Sequence, residues 1–285
     1  MKVGMNLFLW TDDPVDEMWL PLYERLQAMG FDGVELPIFD ANAEKFAALG
    51  RRLDDLGLER TAITVRNASD DPLSSDASIR EAALDATKRV LDCCEAVGSS
   101  MLGGPLYAAI GQFSGSGPTE EEWNRSVSVM QQAADYAARG GTRLSFEFLN
   151  RFEIYLLNST ADTARYVADV DRPNVGIHYD TFHAHIEEKD SSAAIRAHSD
   201  AITHVHISEN DRSTPGQGQV AWNATFDALA SSGYDDWLTI EAFGATLPSL
   251  AAATKIWRRM FDDEEGLARE GHDFIRREWA KRRSI

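Results

Sequence analysis

The chain has 285 residues, 44% of them hydrophobic, with a formal net charge of −18 and a pI of about 4.7. That length and composition suit one large domain with a sizeable core, while the acidic balance repels a nucleic-acid backbone and no Lys- or Arg-rich run offsets it. No stretch approaches the ~18 consecutive apolar residues of a membrane span, and the opening MKVGMNLFLWTDD meets acids too soon for a secretory leader, so nucleic acid and membrane are not expected partners and a cytoplasmic location is expected.

In chain order, apolar β-type runs alternate with amphipathic segments, the pattern of βα units on a parallel sheet. The first strand is expected over 3–10, followed by a helix over 17–28 that closes at Gly30. A second strand over 33–36 stops at Pro37, and a helix over 43–56 ends at Gly57. The third strand is 60–65. After the polar loop NASDDPLSSD comes a long helix over 78–97, closed by Gly98. Cys93 and Cys94 are adjacent within it, where they lack the spacing of a zinc pair and cannot make an ordinary structural bridge to a distant site, so they read as small buried residues. The fourth strand, 99–103, leads through the glycine-rich loop GGPLYAAIGQFSGSG to Thr119, where TEEE forms a capping box on a helix that runs to Arg139.

The second half keeps the rhythm. The fifth strand carries Glu147, a helix follows Asn158, and the sixth strand is 175–179. A helix over 192–198, a strand over 203–207, a helix over 224–231 and a strand over 238–242 complete eight βα units, with a helical tail from about Thr254. The predicted fold is therefore a (β/α)8 TIM barrel forming a single domain over 1–285. No G-x-G-x-x-G or G-x-x-x-x-G-K-[ST] loop follows any strand, so neither a dinucleotide nor a nucleotide-phosphate site is signalled.

A barrel delivers the C-terminal ends of all its strands to one mouth. Four consecutive strands end in metal-competent residues, Glu147, Asp180, His206 and Glu241, separated by 33, 26 and 35 residues. Three carboxylates and one imidazole form a hard-to-borderline donor set suited to Mn²⁺, Co²⁺ or Mg²⁺, less so to structural zinc. Without a cation the three acids would raise each other's pKa. Glu153, His183 and Arg212 lie just beyond these ends, in loops expected to line the mouth. His178 and His204 precede Asp180 and His206 by two, share the inward face of their strands, and are read as a polar layer beneath the metal.

With the opening KVGMN, the blocks FEFLNRFE, VGIHYDTFHAHIEE and HVHISENDRSTPGQG, and the strand TIEAF in view, the sequence resembles the ketose 3-epimerases of the xylose-isomerase-like barrels. The resemblance implies that Glu147, Asp180, His206 and Glu241 hold a catalytic Mn²⁺ or similar ion, and that Glu153, His183 and Arg212 bind the C1–C2 end of an unphosphorylated ketose. It implies that Glu147 and Glu241 serve as the acid/base pair for inversion at C3 through a cis-enediolate. An aldose–ketose isomerase, a hydroxypyruvate-type isomerase or an inosose dehydratase on the same scaffold is the alternative. Barrels of this type often pair through their helical layer, so a homodimer or homotetramer is expected. Leu7, Phe8, Trp10, Leu106, Tyr107 and Ile110 are read either as an apolar wall against the rest of the sugar or as core residues.

Overall fold

Eight short apolar runs close on themselves in a computed structural model that describes residues 1–283. The strands are β1 Lys2–Asn6, β2 Gly33–Pro37, β3 Glu59–Ile63, β4 Met101–Gly104, β5 Arg143–Glu147, β6 Val175–Asp180, β7 Ile202–Ile207 and β8 Trp237–Ile240. All eight pair in parallel in chain order, and β8 pairs back to β1, giving a closed barrel with no free edge.

The connecting helices start and stop where local chemistry dictates. They are α1 Leu20–Ala28, α2 Ala43–Leu56, α3 Ala77–Val97, α4 Glu120–Ala137, α5 Thr160–Val170, α6 Thr181–Glu187, α7 Ser191–His198, α8 Trp222–Ser231, α9 Pro248–Thr254 and α10 Glu264–Arg283. Asn42, Asp76 and Ser159 accept from backbone N–H groups of the first turns of α2, α3 and α5. Thr119 and Glu122 form the reciprocal capping box on α4, and Gly57 and Gly98 end α2 and α3 in the left-handed conformation. Cys93 and Cys94 are free and buried in α3.

Several boundaries differ from the expectation for identifiable reasons. β1 stops at Asn6, because the Asn6 side chain accepts from the Phe8 N–H at 2.8 Å and turns Leu7–Leu9 into a 3₁₀ helix. Asp180 caps a short helix, α6, that the expected pattern lacked, by accepting from the Phe182 N–H at 2.5 Å. The helical tail expected from about Thr254 begins only at Glu264, since residues 255–263 separate α10 from α9, a short helix that the expected pattern lacked. Thr203 is an extra residue in β7, where the pairing jumps from Ile177↔Ile202 to His178↔His204. It turns inward, bonds the Ser145 hydroxyl at 2.8 Å, and fills the space at Gly176, where a Cβ would sit 2.3 Å from its side chain.

Most buried apolar side chains belong to one continuous core between barrel and helices. A small separate cluster at the mouth joins Phe8, Ile63 and Phe243 to Ala251 and Ile256, with Leu250 packed against it, so α9 lies over the strand ends as an apolar cover. No described helix is long and apolar enough to cross a membrane.

Candidate active site and metal centre

Glu147 ends β5, Asp180 ends β6, His206 is the penultimate residue of β7, and Glu241 directly follows β8. Register places Asp180 level with His206 and His206 level with Thr239, two residues before Glu241, so all four side chains leave the same end of the barrel. One donor atom from each lies within 4.8 Å of the other three, and all four residues are buried. The Tyr107 hydroxyl donates to the Glu147 carbonyl at 2.9 Å, fixing the end of β5 from beneath.

His206 is the hinge of the cluster. Its Nε2 lies 2.5 Å from Oε1 of Glu35, a buried acid on β2. Its Nδ1 makes no regular hydrogen bond and faces Glu241 at 3.4 Å, Asp180 at 3.6 Å and Glu147 at 3.7 Å. An orphaned buried nitrogen aimed at three carboxylates fits a hard-to-borderline divalent cation bound among the four.

The acids do not respond to crowding uniformly. Burial raises the Glu147 carboxyl well above its ordinary range, and Glu241 adds to the rise. Burial acts on Asp180 as well, but Arg212, His206 and His183 outweigh it and hold Asp180 well below the usual carboxylate range. The mutual raising expected of the acids is present at Glu147, which both Glu241 and Asp180 push up, and at Asp180 the neighbouring guanidinium and imidazoles override it.

Arg212 is anchored through one of its two terminal nitrogens. Its Nη1 shares two hydrogens among three acceptors, Asp180 Oδ2 at 2.9 Å, Glu241 Oε2 at 2.6 Å and Ser208 Oγ at 2.8 Å. The guanidinium carbon lies 3.8 Å from the Phe182 ring centroid and 4.8 Å from that of Phe243. The residue has φ = 64°, a left-handed conformation that costs a non-glycine residue about 1–3 kcal/mol. Its backbone is tied on both sides, the N–H donating to the Glu209 carbonyl at 2.9 Å and the carbonyl accepting from the Phe243 N–H at 3.0 Å. Glu209 in turn accepts from the backbone N–H groups of Asn210, Gly216 and Val220 and from Trp222 Nε1, organising the whole β7–α8 loop.

His183, on α6, accepts the Asn150 N–H at Nδ1 at 2.9 Å, which leaves the ring proton on Nε2 in the neutral imidazole. Burial and the adjacent Arg212 push its pKa down to about 3, so the ring is neutral across the physiological range. Its Nε2 sits 3.0 Å from Arg212 Nη2. Two N–H donors facing each other are best relieved by a shared oxygen acceptor. Glu153 accepts from Asn150 Nδ2 at 2.7 Å, and burial lifts its pKa against the pull of Arg212 and Asn150.

Glu147, Glu153, His183, Arg212 and Glu241 line one cavity of about 150 Å³ at the mouth. Its opposite wall is apolar and includes Phe8, Phe39, Ile63, Val65, Leu250 and Ala253. Of the residues expected to form that wall, Phe8 and Ile110 line the cavity. Leu7, Trp10, Leu106 and Tyr107 take the other expected place, in the core. His178 and His204 lie fully buried in the barrel, their rings packed edge-on 4.6 Å apart. The sequence reading missed Glu35, Glu209 and the α9 cover. Glu35 does leave a signal, an acid within the apolar strand GVELP.

The sequence profile of the xylose isomerase-like TIM barrel family matches residues 23–278. An L-ribulose 3-epimerase of Mesorhizobium japonicum is 31% identical over 277 residues, covering 96% of this chain and 93% of that protein. A ketose 3-epimerase of Arthrobacter globiformis is 30% identical, covering 97% of this chain and 96% of its own. The solved structure of a D-allulose 3-epimerase from Methylomonas sp. in complex with D-allulose superposes with a TM-score of 0.92 at 27% identity, over 98% of this chain and 97% of that one.

Proposed function

Because the chain belongs to the xylose isomerase-like TIM barrel family and is similar over nearly its full length to ketose 3-epimerases, we propose that it is a divalent-metal-dependent isomerase inverting C3 of an unphosphorylated ketose. The observation that carries this reading is the juxtaposition at one mouth of two glutamates, Glu147 and Glu241, with a pair of converging donors, His183 Nε2–H and Arg212.

In this reading Glu147, Asp180, His206 and Glu241 hold the ion, with Mn²⁺ the first choice and Co²⁺ or Mg²⁺ the others of matching preference. When bound, such an ion supplies Lewis-acid polarisation of the ketose carbonyl. The protein supplies the rest. One of the two glutamates removes the C3 proton, which is acidic because it is α to the C2 carbonyl. The charge that develops on O2 of the cis-enediolate is met by His183 Nε2–H and the Arg212 guanidinium, both preorganised and dry. The other glutamate returns a proton to the opposite face of C3, and the roles exchange in the reverse direction. Glu153 accepts a hydrogen bond from a hydroxyl at the C1–C2 end. Among the described residues Arg212 is the only cation lining the cavity, and its contacts to Asp180 and Glu241 commit it there, which favours an unphosphorylated sugar.

The proposal includes a cytoplasmic location, in keeping with two free buried thiols, and assembly as a homodimer or homotetramer.

The test is incubation of Mn²⁺-loaded enzyme with D-psicose, D-tagatose, L-ribulose and D-fructose in D₂O. Deuterium at C3 of the inverted ketose is expected, and Glu147→Gln and Glu241→Gln are each expected to abolish it while leaving the circular dichroism spectrum unchanged. Label at C1 or C2 with an aldose product would replace the assignment with aldose–ketose isomerisation.

A further inference from the structure

A histidine that ligates a metal must present one nitrogen as a bare lone pair, and which nitrogen that is depends on what the other one touches. In this protein the second contact of His206 comes from across the barrel. Glu35 lies on β2, three strands away from β7 around the closed sheet, and it is fully buried. Both of its carboxylate oxygens are committed. Oε1 accepts from Asn6 Nδ2 at 2.9 Å and lies 2.5 Å from His206 Nε2. Oε2 accepts from the Thr61 hydroxyl at 3.0 Å and lies 2.9 Å from His204 Nε2, in a contact outside regular hydrogen-bond alignment. Four polar groups from β1, β3 and β7 thus surround one carboxylate, which an ionised acid with about four lone-pair sites can accept in full.

A carboxylate can only accept, so its 2.5 Å contact with Nε2 puts a hydrogen on Nε2 of His206. That leaves Nδ1 to face the three acids of the mouth. The same contact fixes the plane of the ring, which is packed edge-on against His178 at 4.0 Å between centroids and has no other hydrogen-bond partner to hold it. Asn6 and Thr61 hold Glu35 in turn, so the orientation of the donor nitrogen is transmitted from β1, β2 and β3 to β7 through the barrel interior.

We infer that Glu35 is a positioning residue for the metal centre, which sets the tautomer and ring orientation of His206 so that Nδ1 is its ligand atom. The inference rests on the assignment of a divalent metal to the four-residue cluster and adds to it a fifth residue that touches neither metal nor substrate.

The substitution that separates positioning from packing is Glu35→Gln, which keeps the shape but presents an NH₂ group able to donate to Nε2 and so to transfer the ring proton to Nδ1. Mn²⁺ affinity is measured by calorimetric titration of the metal-stripped proteins, with the ¹⁴N couplings of bound Mn²⁺ read by pulsed EPR. The expected result is a roughly 10- to 100-fold weaker Kd in Glu35→Gln and an altered imidazole coupling, with an unchanged circular dichroism spectrum. Asn6→Ala, which removes a partner of Glu35 but leaves the carboxylate, is expected to lose less. A folded Glu35→Gln variant with wild-type Mn²⁺ affinity and coupling overturns the inference. Should Glu35→Gln not fold, Glu35→Asp decides: its shorter reach is expected to weaken Mn²⁺ binding, and an unchanged Kd there overturns the inference equally. Wild-type protein that binds no Mn²⁺ would overturn the metal assignment and this inference together, whereas tight wild-type binding with an indifferent Glu35 removes only the latter.

Discussion

Replacing Arg212 with Lys keeps the positive charge and removes the shape, and the surroundings of Arg212 say what that shape does. The guanidinium spans two tasks: Nη1 reaches Asp180, Ser208 and Glu241, while Nη2 reaches toward His183. An ammonium group is compact and can satisfy the first set, but it cannot also place a donor beside His183 Nε2, and it forfeits the planar stacking between Phe182 and Phe243. A hydrogen bond to a charged group contributes about 1.5–3 kcal/mol, and one stacked cation–π contact about 0.5–2 kcal/mol. If the Nη2 donor acts on the charge developing at O2, its loss falls on the transition state and costs about 10²–10³ in kcat, the range for removing one preorganised oxyanion donor. The backbone has no reason to change, since Lys tolerates φ = 64° no worse than Arg. The assay is steady-state epimerisation at saturating Mn²⁺, with kcat and KM resolved and thermal unfolding run alongside. The expected outcome is a fall in kcat of about 100-fold with KM altered far less. A kcat within a few-fold of wild type, or a loss confined to KM, would refute the assignment of Arg212 to transition-state stabilisation.

Other outcomes follow from the same geometry. Chelation is expected to abolish turnover and lower Tm, and Mn²⁺ at about 100 times its Kd to restore both, since binding to the folded state alone adds about 2.7 kcal/mol; full activity after verified metal removal would exclude the metal role. The wall formed by Phe8, Ile63, Val65, Leu250 and Ala253 offers no side-chain partner to a hydroxyl, and the hydrogen of the adjacent Thr254 hydroxyl is given to the Leu250 carbonyl at 2.7 Å; a buried hydroxyl without a partner costs about 1–3 kcal/mol. A 6-deoxy ketohexose is therefore expected to show at least the kcat/KM of its 6-hydroxy parent, and Leu250→Ser to reverse the order in a side-by-side assay. In the capping box of α4, burial is the largest single influence on Glu122 and opposes its ionisation, but the Thr119 N–H, the Tyr155 hydroxyl and the Thr119 side chain together outweigh it and lower its pKa. The stability it adds is complete above the ordinary glutamate value and is lost as pH falls through the lowered one, so urea denaturation of Glu122→Gln should show a deficit at pH 7 that narrows at pH 3.5.

The parts of this protein that were legible in the sequence are those set by periodicity or by position along a strand. α2 was legible because Gly57 ends it, and the structure adds the Asn42 cap at its start; the mouth cluster was legible because parallel strands turn sequence position directly into spatial position. Glu147, Asp180, His206 and Glu241 needed only the assumption of a closed barrel to be brought within 4.8 Å. What escaped depends on contacts that no local pattern encodes. Asp180 reads as a strand-end acid, yet the same carboxylate caps α6, and the seven-residue helix it starts is too short to show a helical period. Leu106 and Tyr107 read as mouth residues from their place after β4, but Tyr107 folds under β5 to hold the Glu147 carbonyl.

Glu35 marks the boundary between the two kinds of information. Its inward direction follows from alternation along β2, and an acid pointing into a barrel interior demands partners. Which partners it finds depends on barrel radius and strand stagger, and these bring it to His206, 171 residues away. A buried carboxylate bonded to Asn6, Thr61 and His206, with His204 beside it, is costly to assemble and would be needless for packing, since an apolar side chain of similar volume fills a barrel interior at no electrostatic cost. The proposed metal centre accounts for its presence: were a cation held among the three acids and His206, the His206 lone pair would have to face the mouth, and an acceptor on the far side of the ring turns it there.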